Sequence, residues 1–142
     1  MITAFILILI HHVADFMFQT SDMALGKSKK ISKLLKHTIT YTSVFFVFFV
    51  ISLFLALSYA ILMWDYSLQD FSLKLSVLWF FPITFVCHTI TDYISSRITS
   101  KMFEKQIYYT GLPNFGVFAI INIDQMLHYA QLFLTYYYLT TN

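Results

Sequence analysis

Long uncharged and mainly apolar runs dominate the chain, and short polar segments separate them. The uncharged runs cover residues 37–64, 75–91, 106–123 and 125–142. They are rich in Phe, Ile, Leu and Tyr, and they approach or exceed the roughly 20 residues that a membrane-spanning helix needs. Together with an apolar N-terminal segment, they predict four transmembrane helices at about 2–20, 37–63, 74–96 and 114–139. The predicted fold is therefore all-α, an integral membrane four-helix bundle that forms a single transmembrane domain over residues 1–142.

The N-terminal helix is the shortest of the four, and polar residues interrupt its second half. Residues 1–10 are apolar, but they lack the basic start and the small-residue cleavage site of a secretory signal peptide. We therefore expect a helix that stays in the protein.

Composition strengthens the membrane prediction. The 142 residues are 58% hydrophobic, 20% aromatic and only 11% charged, whereas a typical soluble domain carries about 25% charged residues. A chain of this size cannot hide so much apolar surface in its own core, so the lipid bilayer is the expected partner. A net charge of +2, without a phosphate-cradling glycine loop, gives no reason to expect nucleic-acid binding. The single cysteine, Cys87, lies in an apolar run and is expected to be an inert thiol.

The connecting segments differ in charge, which predicts an orientation. Loop one, at about 21–36, and loop three, at about 97–113, are basic, whereas loop two, at about 64–73, contains two aspartates. Basic loops stay in the cytoplasm, so we expect a cell (inner) membrane protein with both termini outside. Loop one fits either a basic segment that lies on the membrane and attracts anionic lipid headgroups or an ordinary flank of a helix.

A histidine and an aspartate lie four positions apart in three of the predicted helices. The pairs are His11 and Asp15, His88 and Asp92, and Asp124 and His128. This spacing places both members on one helix face, about one turn apart. With the orientation above, Asp15 and Asp92 lie about one turn from the cytoplasmic ends of their helices, and His37 enters the next helix on the same side. All of these side chains are therefore expected to meet in the cytoplasmic half of the bundle.

Imidazole and carboxylate groups together are suitable ligands for zinc, manganese or iron, and zinc or manganese is the expected divalent ion. Helical bundles build such sites from inward-facing side chains one turn apart. The predicted ligands, enough for one crowded ion or two adjacent ions, are His11, Asp15, His88, Asp92, Asp124 and His128. His37 is predicted to act in catalysis as a general acid or to be a further ligand. A single pair would be explained as well by hydrogen bonds between helices, but three pairs on three helices favour a site.

Polar neighbours of these pairs are assigned supporting roles. His12 faces about 100° away from His11 on a helix and is expected at an interface or behind the ligands. Gln19 and Gln125 are expected to donate hydrogen bonds to the ligands rather than to bind the metal themselves.

These residues resemble a family of small bacterial and phage membrane proteins, domain of unknown function 3307. The resemblance rests on the pattern His-x-x-x-Asp-Phe-x-x-Gln over residues 11–19, a lysine near position 27, His37, residues 88–93 and a late Asp-Gln-x-x-His over residues 124–128. It covers nearly the whole chain and implies an integral membrane protein without an established activity. The arrangement is also distantly similar in style to inner-membrane metal-dependent hydrolases. The doubled His11-His12 is a departure, and both helix-face geometry and the family spacing favour His11.

The leading functional hypothesis is a metal-dependent hydrolase that acts on a phosphoester in a lipid or a lipid-linked substrate. The first alternative is a small transporter of ions, protons or metals, because intramembrane Asp and His also build ion pathways. The second is a non-catalytic membrane accessory protein whose polar cluster only fixes the packing of its helices.

Overall fold

The computed structural model of the chain describes residues 2–62, 75–105 and 115–141. All regular secondary structure within these ranges is helical, which confirms the all-α prediction. The α-helices in these ranges are α1 (Ile2–His12), α2 (Ser21–Gly26), α3 (Ile31–Leu62), α4 (Phe80–Glu104) and α5 (Phe115–Thr141). A π-helical turn, Val13–Met17, continues α1, and a 3₁₀ turn, Leu75–Trp79, leads into α4.

Three helical segments are long and apolar enough to cross a membrane: Ile31–Tyr59, Ser76–Glu104 and Gly116–Thr141. The N-terminal segment Ile2–Met17 is apolar but shorter. Large apolar side chains on α3, such as Phe54 and Leu55, are exposed. An exposed apolar surface of this extent is typical of a helix that contacts lipid, so the chain has the features of a membrane protein.

The helices pack around one core in which α4 lies against both α3 and α5, and α1 lies against α3 and α5. The apolar part of this core joins Tyr41 and Phe45 of α3 to Phe80 of α4 and Leu132 of α5. The ring centroids of Tyr41 and Phe45 are 5.1 Å apart, and those of Phe45 and Phe80 are 5.8 Å apart. This apolar layer covers one end of a polar cluster that contains the predicted site residues.

The end of the first predicted helix, at about residue 20, is corrected by the structure. The π-helical turn ends at Met17. Thr20 then caps the N-terminus of α2, because its hydroxyl accepts a hydrogen bond from the backbone N–H of Met23 at 3.3 Å. Loop one therefore contains a short helix, and an ion pair between Lys33 and Asp22 ties this helix to the start of α3.

Several helices also begin or end at other residues than the edges of the uncharged runs predicted. Helix α3 begins at Ile31 rather than at 37, and α4 ends at Glu104 rather than at 96. The charge at Arg97 does not end α4, because its guanidinium stacks 3.6 Å from the Tyr93 ring centroid and donates to the Tyr93 carbonyl at 2.8 Å. Helix α5 ends at Thr141 rather than at 139. The predicted boundaries at 63, 74 and 114, and loop two, lie outside the described residues.

The longer α4 changes the depth of the site. Asp92 lies 12 residues before the end of α4, a distance of about 18 Å along a helix, so the prediction of one turn was wrong. Asp124 is the tenth residue of α5, as the sequence predicted. The polar cluster therefore lies near the middle of these two helices.

Candidate metal centre

The predicted ligands and His37 lie together in the bundle interior. The π-helical turn and α1, the start of α3, the middle of α4 and the middle of α5 each contribute side chains to this cluster. All of them are buried: His11, Asp15, His37, His88, Asp92, Asp124 and His128. A π-helical turn often marks a functional site, and here it carries Asp15 into the cluster.

One group of four side chains has its donor atoms close enough for a single ion. Asp15, His37, His88 and Asp92 each offer one donor atom within 4.8 Å of the others. His37 Nε2 lies 3.1 Å from Asp15 Oδ1, 3.0 Å from Asp92 Oδ2 and 3.2 Å from His88 Nε2. His88 Nε2 lies 3.7 Å from Asp92 Oδ2 and 4.0 Å from Asp15 Oδ1.

These separations match the coordination shell of a small divalent metal. Two ligand atoms that each lie about 2.1 Å from a tetrahedral zinc are about 3.4 Å from each other. The five separations given above range from 3.0 to 4.0 Å and are centred near this value. The four side chains, which we call the four-donor group, could therefore hold one ion after small movements of their atoms.

A second group shares Asp92 with the first and adds Asp124 and His128. His128 Nε2 lies 3.5 Å from Asp124 Oδ1 and 3.6 Å from Asp92 Oδ1. These distances are too long for good hydrogen bonds. Among the residues that the structure describes, none is a hydrogen-bond partner of these three atoms.

The contact between His88 of α4 and His128 of α5 indicates which of the two rings can bind a metal. His88 Nδ1 lies 3.2 Å from His128 Nδ1, a contact that needs one proton between the two nitrogens. A neutral imidazole carries a proton on only one of its two nitrogens. The ring that donates from Nδ1 therefore has an unprotonated Nε2, which can bind a metal. The other ring accepts at Nδ1 and, if neutral, carries its own proton on Nε2. A protonated His128 Nε2 faces two carboxylates, so we assign the donating ring to His88. His88 is then the ligand, and His128 supports it.

His11 lies outside both metal-ligand groups, although it belongs to the same polar cluster. Its Nδ1 is 2.8 Å from the Tyr41 hydroxyl, and its Nε2 is 2.8 Å from Oε1 of Gln125. The Gln125 amide nitrogen donates to Asp15 Oδ2 at 3.0 Å and to Asp124 Oδ2 at 3.3 Å, which fixes the orientation of the amide. His11 therefore donates from Nε2 and accepts at Nδ1, and both ring nitrogens are engaged.

Gln19 and Gln125, which were predicted to support the ligands, form hydrogen bonds to the polar cluster, whereas His12 forms none to it within the described residues. Gln125 links His11 to two carboxylates. The Gln19 amide nitrogen lies 3.0 Å from His37 Nδ1, but a His37 that binds a metal through Nε2 carries its proton on Nδ1. Gln19 must then turn its amide over and accept this proton with its oxygen. His12 is exposed, with Nε2 3.2 Å from the Tyr129 hydroxyl.

Sequence reasoning missed two residues that contact the four-donor group. The Tyr41 ring stacks on His88 with centroids 3.7 Å apart and an angle of 8° between the planes. Its position one turn after His37, on the same face of α3, was the available signal. The other residue is Lys27, which by charge alone is one of the basic residues of loop one, although the family resemblance includes a lysine near this position.

Lys27 introduces a cation at the edge of the four-donor group. Its Nζ donates to Asp92 Oδ2 at 2.9 Å, and its side chain is 16% exposed. Burial disfavours the ammonium charge, but the carboxylates of Asp92 and Asp15 outweigh this effect and raise the pKa of Lys27 above its ordinary value. Lys27 is therefore positively charged at neutral pH.

A cavity of about 400 Å³ adjoins the cluster. Asp15, Asp124 and Lys27 connect it to the polar cluster, while hydroxyl groups of α4, including Ser96, line another part. Apolar side chains such as Phe103 complete its wall. The cavity thus presents polar and apolar surfaces beside the four-donor group.

Comparison of the chain with protein-family models, with curated proteins and with solved structures gave no match. The resemblance to domain of unknown function 3307 therefore stays a prediction, and the functional argument rests on the site itself.

Proposed function

We propose that the protein is a membrane-embedded metal-dependent hydrolase whose substrate is a phosphoester in a lipid or a lipid-linked molecule. The observation that carries the proposal is the four-donor group, in which two imidazoles and two carboxylates are buried at separations of 3.0 to 4.0 Å. Uncompensated buried carboxylates are costly, and a divalent cation such as zinc or manganese would neutralise them. In this proposal Asp15, His37, His88 and Asp92 are the ligands, and His11, Asp124 and His128 support them.

The cavity supports the choice of an amphiphilic substrate. Its cationic and hydroxyl-bearing part fits a phosphorylated headgroup, and its apolar wall fits hydrocarbon. The basic residues of loop one would attract anionic lipids to this end of the bundle. Because basic loops stay in the cytoplasm, our proposal has this end in the cytoplasm and both termini outside.

Asp124, the carboxylate of the cluster that is not a proposed ligand, can transfer the protons that the reaction requires. A bound divalent ion lowers the pKa of water and stabilises charge on phosphoryl oxygens. Asp124 lines the cavity, and Gln125 orients its carboxylate by donating to Oδ2 at 3.3 Å. Asp124 would take a proton from the attacking water as the new P–O bond forms. It would then return this proton to the alkoxide that leaves as the ester P–O bond breaks.

Metal retention and hydrolysis by the purified protein test this proposal. We expect wild-type protein in detergent to retain one equivalent of metal and to release product from a phosphorylated lipid only in the metal-loaded form. His88→Gln and Asp92→Asn should lose both properties because each removes a ligand. His12→Gln is the matched control, since it removes an exposed histidine. Wild-type protein that binds neither zinc nor manganese, or a His88→Gln variant that binds them as tightly as wild type, would contradict the proposal.

A further inference from the structure

Lys27 contacts both the four-donor group and the cavity. Its ammonium group pairs with Asp92 Oδ2 at 2.9 Å, and its side chain also lines the cavity. Lys27 follows directly after α2, on the segment between the π-helical turn and α3. A small rotation of a flexible lysine side chain would move the charge from the carboxylate into the cavity.

The cavity that Lys27 lines contains an unsatisfied donor, Ser96, which lies one turn after Asp92 on the same face of α4. Ser96 is 8% exposed and lines the cavity, and its Oγ has no hydrogen-bond partner within the described ranges of the chain. Buried hydroxyl groups normally have a partner. The hydroxyls of Ser95 and Ser100 line the same cavity, whereas the Thr99 hydroxyl already donates to the backbone carbonyls of Ser95 and Ser96. A cation beside several hydroxyl donors is the arrangement that recognises an oxyanion.

We propose that Lys27 and Ser96 form a binding site for a phosphoryl oxyanion, and that Lys27 turns from Asp92 to this anion when a metal binds. The proposal rests on the metal site of the proposed function and adds a recognition site together with a coupling between the two ligands. Both an inorganic phosphate and a phosphorylated lipid headgroup carry the chemistry that the site would recognise.

The coupling follows from the position of Asp92. A divalent ion bound at Oδ2 would lie close to the Lys27 ammonium, which is 2.9 Å from the same oxygen. Like charges at this range repel each other strongly in a buried environment, so metal binding favours the rotation of Lys27 into the cavity. An anion in the cavity stabilises the rotated lysine and thereby favours the metal. By reciprocity, each ligand then raises the affinity of the protein for the other.

Manganese titrations of the full chain in detergent, followed by electron paramagnetic resonance, test this coupling. We expect inorganic phosphate to tighten manganese binding by about 5-fold to 150-fold, the usual range for coupled sites. Lys27→Met should bind manganese more tightly than wild type without phosphate, because the competing ammonium is gone, and phosphate should no longer have an effect. Ser96→Ala should keep the wild-type manganese affinity without phosphate but show a smaller phosphate effect, because one hydrogen bond to the anion is lost. The control Lys29→Met removes an exposed lysine of the same turn and should behave as wild type.

A second arm identifies the source of the phosphoryl group. The same titration is repeated in bicelles of phosphatidylcholine with and without phosphatidic acid. A larger effect of phosphatidic acid than of inorganic phosphate assigns the site to a lipid headgroup, and the reverse order assigns it to a free phosphate.

The outcomes separate this inference from the proposed function. Manganese binding that ignores both phosphate sources, or a phosphate effect that survives in Lys27→Met, overturns the anion site and leaves the metal site intact. Weaker manganese binding by Lys27→Met without phosphate shows that Lys27 supports the metal, which also overturns the inference. A wild-type protein that binds no metal overturns both.

Discussion

The assignment of His88 as a metal ligand and of His128 as its hydrogen-bond partner gives a quantitative prediction for His128→Ala. In our assignment His88 Nδ1 donates to His128 Nδ1 across 3.2 Å while His88 Nε2 binds the metal. Removal of His128 leaves this N–H without its partner and removes one of the contacts that orient the His88 ring, which still stacks on Tyr41. Loss of such a partner typically lowers metal affinity by about 10-fold to 100-fold, which corresponds to about 1.4–2.7 kcal/mol. The number of ions bound at saturation should stay at one.

The assay is a competition titration of zinc against a chelating dye in detergent. His128→Asn serves as a conservative companion, because its amide oxygen can accept the proton that His128 Nδ1 accepts, and it should recover part of the lost affinity. His12→Ala controls for the loss of an exposed histidine and should bind zinc as wild type does. Thermal unfolding of each variant without metal separates a loss of affinity from a loss of structure.

Two results would refute the reasoning. An affinity in His128→Ala equal to that of wild type would mean that the contact between the rings does not support the ligand. Loss of binding even at saturating zinc would mean that His128 is itself a ligand, as the sequence pattern had predicted. The second group would then be the metal site, and the proton between the two rings would belong to His128.

Three further predictions follow from other parts of the structure. Tyr41→Phe removes the hydroxyl that lies 2.8 Å from His11 Nδ1 but keeps the ring stacked on His88. Because it leaves a buried acceptor without a partner, it should lower the free energy of unfolding by about 1–3 kcal/mol, as measured by denaturation in detergent, and an unchanged stability would contradict this hydrogen bond. Lys29→Cys in a Cys87→Ser background should react with an impermeant thiol reagent only from the cytoplasmic side, and labelling from outside would reverse the orientation. Sealed vesicles that contain the protein should show no metal-stimulated ion or proton flux, whereas a flux that disappears in Asp92→Asn would transfer the site from hydrolysis to transport.

The membrane character and the clustering of polar residues were accessible from the sequence because both depend on simple periodicity. Uncharged runs of sufficient length predict spanning helices, and a spacing of four residues places His88 and Asp92 on one face. The same logic gave the depth of Asp124 in α5 correctly. These features need no knowledge of how one helix packs against another.

The helix ends were less accessible, because charged residues do not by themselves end a helix. Arg97 remains in α4 by stacking on Tyr93, and Lys33 remains in the first turn of α3 while pairing with Asp22. The pattern of charges marks the surface of a membrane more directly than it marks the end of a helix.

Most contacts between helices within the site could not be predicted, because they depend on the rotation and register of each helix. The sequence pairs His11 with Asp15 and gives His37 no such partner, yet in the structure His11 bonds to Tyr41 and Gln125, and His37 joins the four-donor group. Lys27 carries the same charge as its neighbours in loop one, and only the folded chain places it on Asp92.

X-ray absorption spectroscopy of zinc-loaded wild-type protein tests the central claim most directly, because it reports the number and kind of the ligands. Our account predicts one zinc per chain, four protein ligands and one water, all of them nitrogen or oxygen atoms at about 2.0–2.2 Å, and outer-shell scattering from two imidazoles, those of His37 and His88. Protein that retains no zinc, or a zinc whose outer shell requires three or four imidazoles, would contradict it.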